Sequence, residues 1–212
     1  MKVKHAKLPI MNARIQIGDP SPVTTQAAEG LPRRKWTVAE IDAMVRAGII
    51  DEHEHFELID GDAVPLAPRS LQHEIVRMEL NEHLQRAITD AFRAAPTTTL
   101  RLDEYSFLEP DFCFFARTVT FEQLRGHHVE LAIEIADTSL RYDLGRKIGI
   151  YAAFGIPEVW VINANTLVTH VHRSLGAEGF RTVFEAGPAD EITSVHVPTL
   201  RMCLSELDMT PF

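Results

Sequence analysis

The hydrophobic and polar positions along the chain follow two different periods. Apolar residues recur every three or four positions in residues 37–48 and 70–92, which predicts two amphipathic helices. Thr37 and Glu40 have the spacing of a capping box, and Ser70 is placed to cap the second helix. The side of the second helix that is predicted to be buried is formed by Leu71, Ile75, Met78, Leu84, Ile88 and Phe92.

Short apolar runs separated by turn residues predict the strands. The pair Asp60-Gly61 predicts a tight β-hairpin, and residues 163–165 predict a second one. A third helix is predicted over residues 143–154, where Gly155 can end it. The predicted strands lie in residues 56–66, 97–102, 111–116, 129–136, 158–163, 167–173, 180–185 and 192–197. Strands flanked by helices indicate one mixed sheet covered on both faces, an α/β (α+β) fold.

Length and composition indicate one globular domain with an additional N-terminal segment. Residues 1–30 show neither period and contain "GDPSPVTTQAAEG", so we predict a flexible arm there. Residues 31–212 are predicted to form a single domain, because a chain of 212 residues suits one sizeable core. Cys113 and Cys203 are too few for a disulfide framework. Since a secretory signal and a long apolar run are not evident either, we predict a cytoplasmic protein with reduced thiols.

The charge balance limits the partners that the chain can have. The formal net charge of −9 argues against a general nucleic-acid coat protein, because phosphate binding normally depends on lysine and arginine. It does not argue against a metal-dependent nuclease, whose site concentrates carboxylates around a cation that reverses the local sign.

The stretch "LAIEIADTSLRYDLGRK" places a glutamate inside an apolar strand. Side chains alternate along a strand, so Glu134 shares one face with Ala132 and Ala136, while Val129 is expected on the opposite face. An isolated buried carboxylate costs several kcal/mol or stays protonated. Three arrangements remove that cost: solvation at the strand end, pairing with an arginine, or compensation by a cation or fixed basic group.

The following helix and an upstream strand carry two more candidates. Lys147 lies beside the inward stripe of its helix, with Asp143 four residues earlier, although this spacing also suits an ordinary surface ion pair. Asp111 opens an apolar strand after Pro110, where a turn aspartate is also common. Two carboxylates and a main-chain carbonyl can hold Mg²⁺ through oxygen ligands, and a nearby lysine can activate water.

The segments "FELIDGD", "EPDF" and "ELAIEIADTSLRYDLGRKIGIYAAFGIPEVWVIN" resemble the Uma family of restriction-endonuclease-like proteins, within the PD-(D/E)XK nuclease superfamily. The resemblance covers residues 36–173. It implies a restriction-endonuclease-like mixed central sheet flanked by helices, with added β-hairpins. It also implies Mg²⁺-dependent hydrolysis of phosphodiester bonds.

Carried over by position, the resemblance assigns Asp111 and Glu134 as metal ligands, with the carbonyl of Ile135 contributing. The usual strand lysine of the superfamily would fall at Ala136, so Lys147 from the helix is the candidate replacement.

Two further residues match recurring family positions, and each keeps an alternative interpretation. Glu57 matches a family acid that could act as an additional ligand or orient water, or it could be a surface residue of the hairpin. His73 matches a position near the cleft, or it could be a capping or solvated residue.

From these residues we predict an endonuclease that hydrolyses DNA with Mg²⁺, for which Mn²⁺ can substitute, and that has no membrane partner. The alternative is a catalytically silent module of the same fold that associates with DNA or with another protein. A third possibility is a metal hydrolase acting on smaller phosphodiesters. A homodimer would suit the cutting of both strands of a duplex, although no residue of the sequence demonstrates it.

Overall fold

The computed structural model of the chain describes residues 34–209. The helices are α1 (Val38–Arg46), α2 (Leu71–Ala87), α3 (Leu140–Tyr142) and α4 (Ile148–Ala153), and a π-helical turn (Asp143–Lys147) joins the last two. The first six strands are β1 (Phe56–Ile59), β2 (Asp62–Pro65), β3 (Phe92–Pro96), β4 (Leu100–Arg101), β5 (Phe107–Leu108) and β6 (Phe112–Ala116). The remaining strands are β7 (Val129–Ala136), β8 (Val159–Asn163), β9 (Thr169–Gly176), β10 (Gly179–Ala186), β11 (Ile192–Thr193) and β12 (Arg201–Met202).

The central sheet has six strands in the order β10-β9-β8-β7-β6-β3. Its central pair, β7 and β8, is parallel, and the other four pairs are antiparallel. A parallel pair needs a crossover connection, which the helical segment from Leu140 to Ala153 supplies here. The mixed sheet predicted from the sequence is therefore confirmed.

Both faces of the central sheet are buried. On one face, Val76, Leu80 and Leu84 of α2 pack against alternate residues of β6, β7 and β8. On the other face, Tyr151 of α4 packs with Ala132 of β7 and with further residues of β6 and β8. The layered arrangement with helices on both sides follows from apolar strands that have no solvent-facing side.

A smaller sheet in the order β2-β1-β5-β4 carries the predicted hairpin. Asp60 and Gly61 both have positive φ, as the tight turn between β1 and β2 requires. Helix α1 packs against this sheet, and the capping box between Thr37 and Glu40 is formed as predicted.

The structure corrects the predicted second helix. It ends at Ala87, and Phe92 begins strand β3 instead of continuing the helix. Leu71 and Met78 are 69% and 49% exposed, because the buried face follows Val76, Leu80 and Leu84 at helical spacing.

Two further strand predictions differ from the structure. Residues 192–197 do not extend the main sheet, since β11 pairs with β12 in a separate two-stranded sheet. Val129 packs with Ala132 on the face opposite to the predicted one. The pairing of β6 with β7 shifts at this point, so that Phe114 and Phe115 face Leu131 and Val129 and the intervening residue is bulged.

The predicted arm of residues 1–30 lies outside the described residues, so the division into an arm and one domain stays a prediction. Cys113 and Cys203 are both free thiols. Across residues 34–209, the structure contains no helix that combines the length and the apolar character of a membrane span.

The hairpin turn generates a prediction about stability. Gly61 has φ +84°, and an added Cβ would lie 2.5 Å from Cβ of Lys35. Because strain and overlap add, we expect Gly61→Ala to lower the free energy of unfolding by about 3 kcal/mol. Gly48 also has positive φ but open space around it, so Gly48→Ala is the control and should cost about 1 kcal/mol. Urea titrations measure both values, and equal losses would contradict the role of the close contact.

Candidate active site

A buried lysine stands at the centre of the candidate site. Nζ of Lys147 lies 2.8 Å from Oε1 of Glu57 and 2.9 Å from Oε1 of Glu134. All three side chains are at least 95% buried. The surface ion pair considered from the sequence is therefore wrong: Lys147 joins the two sheets from the inside.

The local backbone explains how "DLGRK" buries a lysine. In the π-helical turn, the N–H of Ile148 donates to the carbonyl of Asp143, five residues earlier. Asp143 and Lys147, the first and last residues of this turn, are buried, and the three residues between them are not. The widened turn thus directs one carboxylate and one ammonium toward the sheet.

Glu134 occupies the position that the strand alternation predicts, between Ala132 and Ala136. Its Oε1 accepts hydrogen bonds from the Tyr151 hydroxyl and from Lys147. Since alanine side chains end at Cβ, they leave room for these partners. Of the three arrangements considered for the buried Glu134 carboxylate, the structure thus contains compensation by a fixed basic group, Lys147.

Glu57 is fully buried, which rules out the interpretation as a surface residue of the hairpin. Its Oε1 also accepts from the N–H of Glu109 at 3.1 Å, and its Oε2 accepts from the Tyr142 hydroxyl at 3.0 Å. These bonds fix the carboxylate that holds Lys147 from the side of the smaller sheet.

Asp111 lies at the start of β6, where the pairing of β6 with β7 ends at Phe112 and Ile133. Its Oδ2 accepts a hydrogen bond from the N–H of Ile135 at 2.8 Å. The N–H and C=O of one strand residue point to the same side, so the carbonyl of Ile135 also faces Asp111. The structure therefore brings together the two carboxylates and the carbonyl that the sequence analysis named.

His73 and Arg69 complete the surroundings of Asp111. Nε2 of His73 lies 3.3 Å from Oδ2 of Asp111, and the imidazole is buried, so the solvated interpretation of His73 is wrong. Nε of Arg69 lies 4.0 Å from Oδ1 of Asp111, and the guanidinium donates no hydrogen bond to any residue between 34 and 209. The Arg69 side chain is 28% exposed.

These residues border a cleft of about 560 Å³. Its walls come from the segment before α2, the start of β6, the end of β7 and the π-helical turn. Arg69 and Lys147 are the two permanently positive side chains of the lining, and Arg69 is the more exposed of them.

The buried cluster contains more acidic than basic side chains. Burial raises the pKa of the Glu134 carboxyl to about 8, although Lys147 opposes that shift. The neighbouring carboxyls of Asp143, Asp111 and Glu57 add to the rise. More acids than bases are buried together, so Glu134 retains a proton near neutral pH.

Lys147 and the two tyrosines of the cluster keep their protons. Burial alone would lower the pKa of Lys147, but Glu134 and Glu57 outweigh it and raise that pKa, so the ammonium stays charged. Burial and the neighbouring carboxyls raise the pKa of the Tyr151 and Tyr142 hydroxyls, which keeps both of them hydrogen-bond donors.

The residues present fit Mg²⁺ by the chemistry of their donor atoms. Oε2 of Glu134 and Oδ1 of Asp111 accept no hydrogen bond from residues 34–209, and the carbonyl of Ile135 faces the same space. The described part of the chain has no group of three His, Cys, Asp or Glu side chains arranged around a metal position. Mg²⁺ commonly takes only one or two carboxylates and keeps several waters, so this sparse set suits it.

Sequence reasoning missed three members of the site. Tyr142 and Tyr151 lie before and after the "DLGRK" stretch, and only the packed structure shows their hydroxyls on Glu57 and Glu134. Arg69 lies in a loop with no periodic pattern. Its position directly before the helix cap Ser70 is the one signal that could have drawn attention to it.

Comparison with known proteins identifies similar folds. The family profile described as "Uma2: Putative restriction endonuclease" matches residues 39–201, more than half of the chain. Among solved structures, the chain is similar to "a putative nuclease belonging to DUF820" from Anabaena variabilis ATCC 29413, with a TM-score of 0.58 and 12% identity. That similarity covers 76% of this chain and 93% of the other, and it shows the fold. No curated protein matches the chain significantly.

The raised pKa of Glu134 predicts how stability depends on pH. In the unfolded chain this carboxyl titrates near 4.5 and in the folded protein near 8, so its proton stabilises the fold below pH 4.5. That stabilisation is lost as pH rises through the folded pKa. Glu134→Gln removes this dependence. Between the two pKa values, the free energy of unfolding of the variant should therefore rise relative to that of the parent as pH rises, by up to about 1.4 kcal/mol per pH unit.

Urea unfolding in EDTA at several pH values between 5 and 8 measures this difference. Glu130→Gln, on the same strand but partly exposed and away from the cluster, is the control for removing one carboxyl. A constant difference between the Glu134→Gln protein and the parent would contradict the assigned titration.

Proposed function

The chain belongs to the Uma2 family, and from that premise we propose that it is a Mg²⁺-dependent endonuclease that hydrolyses phosphodiester bonds in DNA. The observation that carries the proposal is the buried Lys147 ammonium, which touches Glu134 beside Asp111 at the wall of an open cleft. A lysine next to two carboxylates is an arrangement that combines cation binding with activation of water.

Asp111, Glu134 and the carbonyl of Ile135 are the residues that would hold the cation, with Mn²⁺ as a substitute. When bound, Mg²⁺ supplies Lewis-acid polarisation of the scissile phosphate and lowers the pKa of a water molecule. Lys147 donates to Glu134 and, from the same position, stabilises negative charge that develops in the cleft. Glu57 acts as a positioning residue, because it holds Lys147 from the opposite side.

The two tyrosines keep the cluster in place. Tyr151 donates to the Glu134 oxygen that also accepts from Lys147, which leaves the second oxygen of Glu134 for a ligand. Tyr142 donates to Oε2 of Glu57, whose Oε1 contacts Lys147, so both oxygens of Glu57 are held in place. The carboxylates are thereby oriented before substrate arrives, which reduces reorganisation during the reaction.

Arg69 is the residue that we assign to contact with substrate phosphate. Its guanidinium is partly exposed in the cleft and donates no hydrogen bond within residues 34–209. A planar guanidinium suits bidentate recognition of phosphate. In a chain with a net charge of −9, such a local positive group is needed for a polyanion to approach.

A specific observation favours the second candidate, a catalytically silent module. Lys147 and Glu134 are 3% and 4% exposed, so the ion pair could serve only to join the two sheets. Calorimetry with Mg²⁺ or Mn²⁺ separates the two proposals. If the parent protein binds the metal ion and the Glu134→Ala variant does not, the enzyme is supported. If the parent protein binds no metal ion, the silent module is supported. Parallel assays on duplex DNA, single strands and dinucleotides distinguish a hydrolase of smaller phosphodiesters.

We expect Asp111→Asn and Glu134→Gln each to lower Mg²⁺-dependent DNA cleavage at least about 100-fold, because an amide, unlike a carboxyl group, cannot become the anionic ligand that the cation requires. Asp137→Asn is the matched control. Asp137 lines the same cleft but bonds to Asn165, outside the lysine cluster. Single-turnover cleavage of a labelled duplex measures the rates. If either ligand variant cleaves as fast as the parent, the assignment is wrong.

We expect Arg69→Ala to raise the KM for DNA about tenfold and to change kcat less, because it removes one charge-assisted contact to phosphate. Arg86→Ala is the matched control, since Arg86 is bonded to Glu82 and neither residue lines the cleft. Steady-state cleavage at several salt concentrations measures both constants. Equal changes in KM for the two variants would contradict a specific role for Arg69.

A further inference from the structure

Strand β10 forms one edge of the central sheet. Among residues 34–209 it pairs with β9 alone, and its outward N–H and C=O groups have no backbone partner there. It is eight residues long and contains no proline. An edge strand presents a row of unpaired N–H and C=O groups that can pair with another chain.

The opposite edge of the same sheet differs. Strand β3 has five residues and ends in Pro96, which cannot donate to a ladder. This edge is thus shortened and blocked, as is common at edges that stay unpaired. The contrast indicates that β10 is the edge suited to association.

The side chains of β10 are apolar and charged in a specific arrangement. Val183 is 57% exposed and Phe184 is 37% exposed. Arg181 and Glu185 are both exposed and lie two residues to either side of Val183. The strand therefore has opposite charges placed symmetrically around an exposed apolar centre.

This arrangement is self-complementary. When two identical strands pair antiparallel, the two-fold axis passes beside one residue, which then lies opposite its own copy. An axis at Val183 places Arg181 opposite Glu185 of the second copy, and Glu185 opposite Arg181. An axis at Thr182 or at Phe184 gives neither of these pairs. Cross-strand pairs of opposite charge stabilise a sheet, and like charges destabilise it.

We propose that β10 pairs antiparallel with β10 of a second copy of this chain, with the two-fold axis at Val183. The two central sheets then form one continuous sheet of twelve strands across the dimer. Two ion pairs flank a central contact between the valines, and the outward backbone groups of both strands bond to each other.

The contacts that Arg181 and Glu185 make within one chain do not prevent this pairing. Nε of Arg181 lies 3.4 Å from the carbonyl of Ser174, and Oε1 of Glu185 lies 3.4 Å from Nδ1 of His170. Both distances are at the long end for a hydrogen bond, and the Glu185 side chain is 70% exposed. Exchange of these exposed contacts for cross-strand pairs is therefore inexpensive.

Exchange of the charges tests the proposal. Arg181→Glu and Glu185→Arg should each raise the dissociation constant of the dimer about tenfold or more, because each places like charges opposite one another twice. The double variant Arg181→Glu with Glu185→Arg restores opposite charges and should restore the dimer. Sedimentation equilibrium over a range of protein concentrations measures the constants, and circular dichroism checks that each variant is folded.

A cysteine at the axis gives an independent measurement on a strand with its natural charges. In a Cys203→Ser background, Val183→Cys should form an intermolecular disulfide on mild oxidation, since opposed residues of paired strands lie close enough for one. Ile49→Cys is the control, because Ile49 is 72% exposed and lies outside the strands, between α1 and β1.

Four results would overturn the proposal: a parent that stays monomeric at high concentration, a dimer unaffected by the single charge variants, a double variant that stays monomeric, or equal crosslinking at positions 183 and 49. Mass and crosslinking do not depend on cleavage, so the outcome is separate from that of the nuclease proposal.

Discussion

The contact of Lys147 with Glu57 and Glu134 is the interaction on which the arrangement of the molecule depends. It joins the smaller sheet, the central sheet and the π-helical turn at one buried point. A buried charge without a partner is strongly destabilising, so each of these elements constrains the position of the other two. The hydrogen bonds from Tyr142 and Tyr151 then fix the carboxylates, and the cleft opens beside them.

The same contact leaves the cluster with too much negative charge. One ammonium faces Glu57, Glu134 and Asp143, and Asp111 lies on the neighbouring strand, so burial keeps a proton on Glu134. A proton and a divalent cation compensate the same excess charge, which means that they compete for it. This imbalance supports the proposed cation site, because a purely structural ion pair gains nothing from the additional acids.

Much of this could be predicted from the sequence, and the failures have physical causes. Strand alternation located Glu134, and helical period located Lys147, because both rules are local. Glu57 was ambiguous, since a hairpin alone does not show that its outer face is covered by a helical turn. The sequence predicted that α2 continues to Phe92, because the apolar Ile88 and Phe92 fit the helical period. In the structure the helix ends before a turn, and Phe92 begins the edge strand β3. Arg69 depends on tertiary packing that no local pattern encodes.

The net negative charge of the chain is compatible with a cleft that binds a polyanion, because charge acts mainly over short distances. Beyond the screening length, which is only about 8 Å at physiological ionic strength, the repulsion between a net charge of −9 and a polyanion is largely screened. Within this range the potential is set by nearby groups, and at the cleft these are the positive Arg69, the surrounding carboxyls such as Glu74, Asp111 and Asp137, and the cation that we propose. For the duplex substrate that we propose, weak capture at long range makes affinity depend on local contacts, which increase when the duplex meets two clefts at once. A two-fold dimer provides two clefts, because its symmetry repeats each cleft with opposite direction, as the two strands of a duplex require.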